Sequence, residues 1–116
     1  MEYVLYCIDK PDRSALRATL RVPHLAYAGS RQPVFRFGGP LLDEHGTPRG
    51  SLMILDLPDR AALDRHMAGD PFFDADLFES VTIRTTRQVM PERVPGALAR
   101  ELEAARALAN GDVPGA

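Results

Sequence analysis

The segment at residues 2–9, EYVLYCID, is apolar on both of its alternating faces and rich in β-branched and aromatic residues. Side chains of successive strand residues point to opposite sides of a sheet. One side of this segment carries Tyr3, Leu5 and Cys7, and the other carries Val4, Tyr6 and Ile8. A strand of this type is covered on both sides and lies in the centre of a sheet. The chain must therefore build a sheet around its first strand.

The rest of the chain predicts three more strands and two helices. A helix is expected to open at Pro11-Asp12 and to end at Gly29-Ser30, with an apolar stripe formed by Leu16, Leu20, Pro23 and Tyr27. Residues 33–40, 51–57 and 79–89 have strand character, and a shorter helix is expected from Asp59 to about Met67. The resulting order, β-α-β-β-α-β, is typical of an α+β, ferredoxin-like fold, in which both helices cover one face of a four-stranded antiparallel sheet.

This fold leaves the second face of the sheet without helices. The predicted strands nevertheless make both faces apolar, through Tyr3, Leu5, Val34 or Phe35, and Met53 or Leu52. One chain cannot cover both faces, and a large exposed apolar face indicates an interaction site. We therefore expect a homodimer that forms through the open sheet face, with Leu5 and a residue of the third strand on that face.

The composition changes after Met90-Pro91. The following segment, GALARELEAARALANG, has leucine and alanine at helical spacing, and Gly111 stands where a helix is expected to stop. The sequence thus predicts a ferredoxin-like domain at residues 1–90 and a C-terminal helical extension at residues 91–116. The last residues, GDVPGA, are expected to fray.

Composition excludes several classes of function. A formal net charge of -2 over 116 residues gives no basic surface for nucleic acid. No apolar run is long enough to span a bilayer, no leader is recognised, and the single cysteine, Cys7, fits a reducing compartment. A cytoplasmic protein that acts without a membrane is therefore expected. The three histidines lack metal-ligand spacing, and no phosphate-binding glycine motif is present, so neither a metal nor another cofactor is expected.

The run RVPHLAY, from Arg21 to Tyr27, places a histidine directly after a proline in the first predicted helix. An imidazole titrates near neutral pH and can act as a general base. On a helical projection His24 lies at the edge of the apolar stripe, and Arg17 and Arg21 continue the polar side beside it. These arginines could hold an anionic substrate group. The alternative is a boundary histidine that merely satisfies a carbonyl group.

The run GDPFF, from Gly69 to Phe73, has two interpretations. Aspartate followed by proline is an ordinary helix start, with Asp70 as the N-cap and Pro71 in the first helical position. Alternatively, Asp70 orients a catalytic imidazole and stabilises its protonated form. His66, four residues earlier on the predicted helix, is also a possible partner of Asp70. The spacing does not separate these interpretations.

The run Gly38-Gly39-Pro40 closes the second predicted strand. Two glycines at a strand end permit either a close approach of the backbone to a ligand or a simple bulge, and the residues by themselves favour the bulge. Four phenylalanines, Phe35, Phe37, Phe72 and Phe73, could form the apolar wall of a pocket, or they could belong to the ordinary core.

These segments, in this order, resemble the YCII-related family of small bacterial proteins. The matching residues are the opening YVLYCIDKPD, the R-x-P-H-L run at residues 21–25, GGPL after the second strand, and DPF before the last strand. The resemblance covers about residues 1–90. It implies a dimeric α/β barrel similar to muconolactone isomerase, with a cleft between the sheet and the first helix, in which His24 and Asp70 meet as a catalytic dyad. On this interpretation, Pro23 resets the last helical turn and directs His24 into the cleft.

The resemblance implies a lyase or isomerase that abstracts a proton next to a carbonyl group, or drives an elimination, on a small molecule. His24 and Asp70 are the expected catalytic residues, and the expected substrate-binding residues are Arg17, Arg21, Gly39, Pro40 and Phe72. Two other functions stay open on the same barrel. One is a cofactor-free monooxygenase, and the other is a non-catalytic dimer that binds a metabolite.

Overall fold

The computed structural model describes residues 1–111 and has the predicted order of strands and helices. The elements are β1 (Glu2–Asp9), α1 (Ser14–Ser30), a short 3-10 turn (Gln32–Val34), β2 (Phe35–Leu42), β3 (Pro48–Asp56), α2 (Arg60–Gly69), the one-turn helix α3 (Pro71–Asp74), β4 (Phe78–Thr86) and α4 (Ala97–Ala109). The fraying expected after Gly111 lies outside the described residues. The boundaries differ from the predicted ones by a few residues.

The four strands form one antiparallel sheet in the order β2-β3-β1-β4. As predicted, β1 occupies a central position, and its Leu5 pairs with Met53 of β3 and with Ile83 of β4. The core lies on one side of the sheet, where Leu5, Met53 and Phe72 are buried. The α+β, ferredoxin-like fold is confirmed.

The prediction that Leu5 lies on the open sheet face is wrong. Leu5 is fully buried within the single chain, and it shares its side of β1 with the core residues Tyr3 and Cys7. The opposite side of β1 carries Val4 and Tyr6, and the Tyr6 side chain is 47% exposed. Because both sides of this strand are apolar, alternation alone does not tell which side the helices cover. We define the open face by five apolar residues that follow the register on that side: Val4, Tyr6, Phe37, Leu52 and Ile54.

The bulge expected at the glycine pair is also misplaced. Gly38 pairs regularly with Met53, and Gly39 pairs with Leu52. The irregularities in the β2–β3 ladder lie on either side of the glycines, between Phe35 and Phe37 and between Leu41 and Leu42. The extra residue at the first irregularity is Arg36, whose guanidinium group forms an ion pair with Asp56.

The predicted reset of the last turn of α1 at Pro23 does not occur. The helix runs without a break from Ser14 to Ser30 and contains Pro23 in its interior. Proline removes one backbone donor from a helix, but the neighbouring turns are held by Leu20, which packs on the core, and by Tyr27, whose hydroxyl group donates to the backbone carbonyl of His66. Pro23 itself faces solvent and is not part of the buried stripe.

The residues from Arg87 onward form a second compact unit, separate from the first unit, Met1–Thr86. The boundary predicted between residues 90 and 91 stays a prediction. Within this unit the Glu92 carboxylate accepts hydrogen bonds from the backbone N–H groups of Gly96 and Leu98 at the start of α4. Gly111, with φ of +82°, follows the end of α4 as expected. None of the helices between residues 1 and 111 has the length and apolar character needed to cross a membrane.

Candidate functional site

A cleft of about 300 Å³ lies between α1 and the β2–β3 side of the sheet. It contains six of the seven residues that the sequence analysis assigned to catalysis or substrate binding. Its lining consists of Arg17, Arg21, His24, Leu25, Ala28, Phe35, Gly38, Gly39, Pro40, Ser51, Met53 and Phe72. The seventh predicted residue, Asp70, contacts the cleft through His24.

His24 and Asp70 meet through a short hydrogen bond. Nδ1 of His24 lies 2.8 Å from Oδ1 of Asp70, although the two residues are 46 positions apart in the chain. The His24 side chain is 13% exposed, whereas that of Asp70 is only 1% exposed. The imidazole ring is stacked on the ring of Phe72, with 3.8 Å between the centroids and 11° between the planes. Asp70 therefore holds the Nδ1 side of the imidazole ring through a hydrogen bond, and Phe72 sets the plane of the ring by stacking.

Asp70 is at once the helix cap and the partner of His24. Its Oδ1 atom accepts a hydrogen bond from the backbone N–H of Phe72 at 3.0 Å, and Pro71 occupies the first turn of α3. Asp70 thus occupies the cap position that one interpretation predicts and also contacts His24, because one carboxylate oxygen meets both donors. Burial of this oxygen between two donors satisfies the strong preference of a buried carboxylate for hydrogen bonds.

The contact with Asp70 assigns the tautomer of His24. An ionised carboxylate can only accept hydrogen bonds, so Nδ1 carries the proton that lies between the two side chains. In the neutral ring the lone pair is then on Nε2. No residue in the described part of the chain forms a hydrogen bond with this nitrogen. An imidazole with Nδ1 held by a carboxylate and Nε2 unoccupied can accept a proton from a molecule in the cleft.

Arg17 lines the cleft, as the prediction of a substrate-binding residue requires, but its guanidinium group is already paired within the protein. Its guanidinium group is buried and donates to both carboxylate oxygens of Asp9, at 2.6 and 3.0 Å, and to Oγ of Ser51 at 2.8 Å. It also lies over the Phe72 ring, 4.7 Å from the centroid. Arg17 is thus a structural cation in the wall of the cleft. Sequence reasoning missed Asp9 and Ser51, although an acid at a strand end, eight residues before an arginine on the next helix, is a signal for such a pair.

Arg21 differs from Arg17 in its surroundings. It is exposed on the same helix, one turn further on, and it lines the cleft. No acidic residue among residues 1–111 forms an ion pair with it. Arg21 is therefore the cleft arginine whose charge is available to a ligand.

His66 is buried close to the dyad but does not form a hydrogen bond with Asp70. Its Nδ1 accepts a hydrogen bond from Nε of Arg31 at 2.8 Å, and its side chain is packed between the rings of Tyr27 and Phe35. Burial lowers the pKa of His66 from the usual value, and the positive charge of Arg31 lowers it further. The ring is therefore neutral at physiological pH.

The glycine pair and the phenylalanines contribute unequally to the cleft. A Cβ atom at Gly38 would lie only 3.2 Å from the Phe35 ring, so glycine keeps the space beside that ring open. Phe35 and Phe72 form part of the wall, as predicted. Phe37 follows neither alternative, because it is 51% exposed and pairs with Ile54 on the open face, whereas Phe73 follows the core alternative. Phe73 packs against Phe78 in the core.

Two other kinds of site receive no support from the described residues. Cys7 is buried, and burial raises the pKa of its thiol to about 12, with a further contribution from the negative charge of Asp70. A thiol of this kind is not a nucleophile at neutral pH. Between residues 1 and 111, no cluster of histidine, cysteine and carboxylate side chains has the arrangement needed to hold a metal ion.

A profile of the YCII-related domain matches residues 1–87 of the chain. No curated protein sequence matches the chain significantly.

Several solved structures have a similar fold. A 5-chloro-2-hydroxyhydroquinone dehydrochlorinase from Burkholderia phenoliruptrix, solved with 2,5-dihydroxybenzoquinone, has a TM-score of 0.71 and 24% identity, over 76% of this chain and 95% of that one. An antibiotic biosynthesis monooxygenase structure from Bacteroides thetaiotaomicron has a TM-score of 0.53 and 15% identity, over 81% of this chain and 93% of that one. A variant of SnoaB, a cofactor-independent oxygenase from Streptomyces nogalater, has a TM-score of 0.48 and 20% identity, over 78% and 96%. At these identities, the first two likenesses concern the fold alone.

His66 gives the stability of the protein a pH dependence of definite sign. Because the pKa of His66 is lowered in the folded chain, the unfolded chain takes up a proton at this residue at a higher pH than the folded chain does. The stability due to the neutral ring is fully present above about pH 6.5, and it is lost as the pH falls through the lower folded-state value.

We expect His66→Gln to flatten the fall in the free energy of unfolding between about pH 7.5 and about pH 5, measured by urea unfolding. His45→Gln is the matched control, because the His45 side chain is 78% exposed, and this variant is expected to keep the wild-type slope. A His66→Gln slope as steep as that of the wild-type protein would contradict the assignment of His66 as a buried neutral ring.

Proposed function

The chain belongs to the YCII-related domain family, and on this premise we propose that it is a small-molecule lyase or isomerase. His24 acts as the general base, and Asp70 orients it. The reaction is the removal of a proton next to a carbonyl group, with or without the elimination of a leaving group. The single observation that carries the proposal is the 2.8 Å contact between Nδ1 of His24 and Oδ1 of Asp70 at the cleft.

The chemical step follows from this contact. Nε2 of His24 takes the proton from the carbon atom, and the electron pair of the broken C–H bond passes toward the carbonyl oxygen. In an isomerisation the proton returns to another atom of the same molecule. In an elimination the pair forms a carbon–carbon double bond, and the leaving group departs with its own bonding pair. Asp70 stabilises the imidazolium ion that forms, and no atom of the protein is oxidised or reduced.

The cleft favours a compact substrate that has an apolar ring and an anionic or strongly polar group. Its volume of about 300 Å³ is at the lower end for small-molecule sites, and Phe35, Met53 and Phe72 give it an apolar wall. Arg21, which has no acidic partner among residues 1–111, can pair with a carboxylate or an ionised hydroxyl group of the substrate. Gly39 and Pro40 contribute the backbone edge of the cleft. The dehydrochlorinase with a similar fold is named for a chlorinated hydroxyhydroquinone and was solved with 2,5-dihydroxybenzoquinone.

A cofactor-free monooxygenase is the second candidate, because the fold is similar to that of an antibiotic biosynthesis monooxygenase structure. In that reaction His24 would deprotonate a phenolic hydroxyl group, and the resulting phenolate would react with dioxygen through a ring carbon. One oxygen atom would enter the product as a quinone oxygen, and the other would leave as water. The two candidates share the base and differ in the consumption of oxygen. A third function, binding of a metabolite without turnover, needs only the cleft.

We expect His24→Gln to lower kcat/KM by about 10²–10⁴-fold on any substrate that the wild-type protein converts, because proton transfer by a positioned base contributes a factor of that size. Asp70→Asn keeps an oxygen that can cap α3, so it is expected to fold and to lose activity in the same direction. The substrates to screen are substituted hydroquinones and small unsaturated lactones, with absorbance and dissolved oxygen recorded together. His45→Gln is the matched control and is expected to keep full activity.

The outcomes separate the candidates. Product formation without oxygen uptake supports the lyase or isomerase, and product formation with stoichiometric oxygen uptake supports the monooxygenase. Binding of a compound without any conversion supports the third function. Full activity of His24→Gln would contradict the role of His24 in all catalytic versions.

The protein also acts as a homodimer in this proposal, in the cytoplasm, where its free thiol stays reduced. The open face, formed by Val4, Tyr6, Phe37, Leu52 and Ile54, offers an apolar surface on three neighbouring strands, β2, β3 and β1, that no helix of the first unit covers. A second copy supplies a surface of identical shape and character, as a two-fold dimer requires. Association through this face buries apolar area, which is the main favourable term in such contacts.

We expect Tyr6→Glu to shift the protein from dimer to monomer at micromolar concentration, because a charge would be buried at the centre of the interface. The measurement is sedimentation equilibrium. Val22→Glu is the matched control, since Val22 is 76% exposed on α1 and outside the open face, and it is expected to stay dimeric. A wild-type chain that sediments as a monomer would refute the dimer.

A further inference from the structure

Two buried polar atoms near the dyad have no hydrogen-bond partner in the described part of the chain. They are Nε2 of His66 and Oδ2 of Asp70. Both residues are only 1% exposed. A buried polar atom without a partner is unfavourable by roughly 1–3 kcal/mol, so two such atoms in one small region require an explanation.

The two atoms are chemically complementary. Arg31 donates from Nε to Nδ1 of His66, so this nitrogen must hold the lone pair. His66 is neutral, because burial and the Arg31 charge lower its pKa. Its proton is therefore on Nε2, which makes this atom a donor. Oδ2 of Asp70 belongs to a carboxylate, which makes it an acceptor.

The two residues are also close to each other. His66 lies in the last turn of α2, and Asp70 is the residue that ends this helix, four positions later. The pKa of His66 is lowered by burial and by the charge of Arg31, and the negative charge of Asp70 offsets part of this lowering, as a nearby carboxylate does. The two side chains nevertheless form no direct hydrogen bond. A single water molecule between a buried donor and a buried acceptor is the usual way to satisfy such a pair.

We infer that Nε2–H of His66 and Oδ2 of Asp70 are joined through one buried water molecule, and that His66 is a positioning residue for the dyad. The resulting series of hydrogen bonds runs from Arg31 through His66 and the water molecule to Asp70 and His24. Its catalytic importance rests on the proposed function, in which Asp70 orients His24. The water contact itself does not depend on that function.

The bridge would complete the fixation of Asp70. Its Oδ1 atom already accepts hydrogen bonds from the Phe72 N–H and from His24. Without a partner for Oδ2, the carboxylate plane can rotate about the Cβ–Cγ bond, and the contact with His24 loosens. Arg31 sets the direction of this series of hydrogen bonds, because its N–H donates to Nδ1 of His66 and leaves the His66 proton on Nε2. A second layer of this type commonly tunes a catalytic group without touching the substrate.

The contact can be tested by nitrogen-15 NMR on the full-length chain. In the wild-type protein we expect the Nε2–H proton of His66 to be visible, slow to exchange, and connected by a cross-relaxation peak to a bound water molecule. Asp70→Asn replaces a charged acceptor by a weaker neutral one, so the Nε2–H resonance of His66 is expected to move upfield. A His66 signal without the water peak and unmoved in Asp70→Asn would overturn the bridge.

The positioning role is tested with two variants of His66. His66→Asn keeps an acceptor for Arg31 near the position of Nδ1 but removes the donor toward Asp70. His66→Gln places an amide N–H near the position of Nε2. We expect the exchange of the His24 Nδ1–H with solvent to become about tenfold faster in His66→Asn, the factor that corresponds to one hydrogen bond of about 1.4 kcal/mol. His66→Gln is expected to restore slow exchange.

Equal exchange in His66→Asn and wild type would overturn the positioning role, even where the water contact is seen. The water peak is measured on the wild-type protein. It therefore tests the water contact even if one of the substitutions prevents folding. Failure of the proposed function gives a different result, namely a His24→Gln variant that keeps full activity while the His66 bridge is intact.

Discussion

Burial of the Asp70 carboxylate is the constraint on which the cleft depends. A carboxylate that is 1% exposed must find hydrogen-bond donors within the protein, and Oδ1 finds the Phe72 N–H and the His24 ring. The first contact starts α3 and thereby sets the Phe72 ring in the cleft wall. The second holds α1 so that the imidazole ring lies on that ring. The same carboxylate oxygen therefore caps α3 and holds the imidazole ring of the candidate site.

A second buried charge fixes the opposite part of the cleft. Arg17 is satisfied by Asp9 and Ser51, which come from β1 and β3, so its ion pair ties α1 to the centre of the sheet. Its guanidinium group also lies over the Phe72 ring. Because this arginine is fully used by the fold, a ligand in the cleft meets the charge of Arg21 and the basic nitrogen of His24. Although two arginines line the cleft, one of them is therefore committed to the fold.

The sequence predicted the element order, the central position of β1 and the cap at Asp70, because strand alternation, helical spacing and the Asp-Pro pair are local signals. It could not join His24 to Asp70 by spacing, since the two lie 46 positions apart, and only the family resemblance did so. The ion pair of Arg17 could not be predicted from the helical stripe, because its partners Asp9 and Ser51 lie on two strands of the sheet. Leu5 was placed on the wrong face because both sides of β1 are apolar.

The most direct test of the account is the tautomer of His24, read from the nitrogen-15 shifts of its ring in the wild-type protein and in Asp70→Asn at mildly alkaline pH. The account predicts that wild-type His24 carries its proton on Nδ1 and its lone pair on Nε2, and that Asp70→Asn loses this preference while staying folded. A wild-type ring with the proton on Nε2 would contradict it, because the nitrogen that faces a substrate would then be unable to accept a proton.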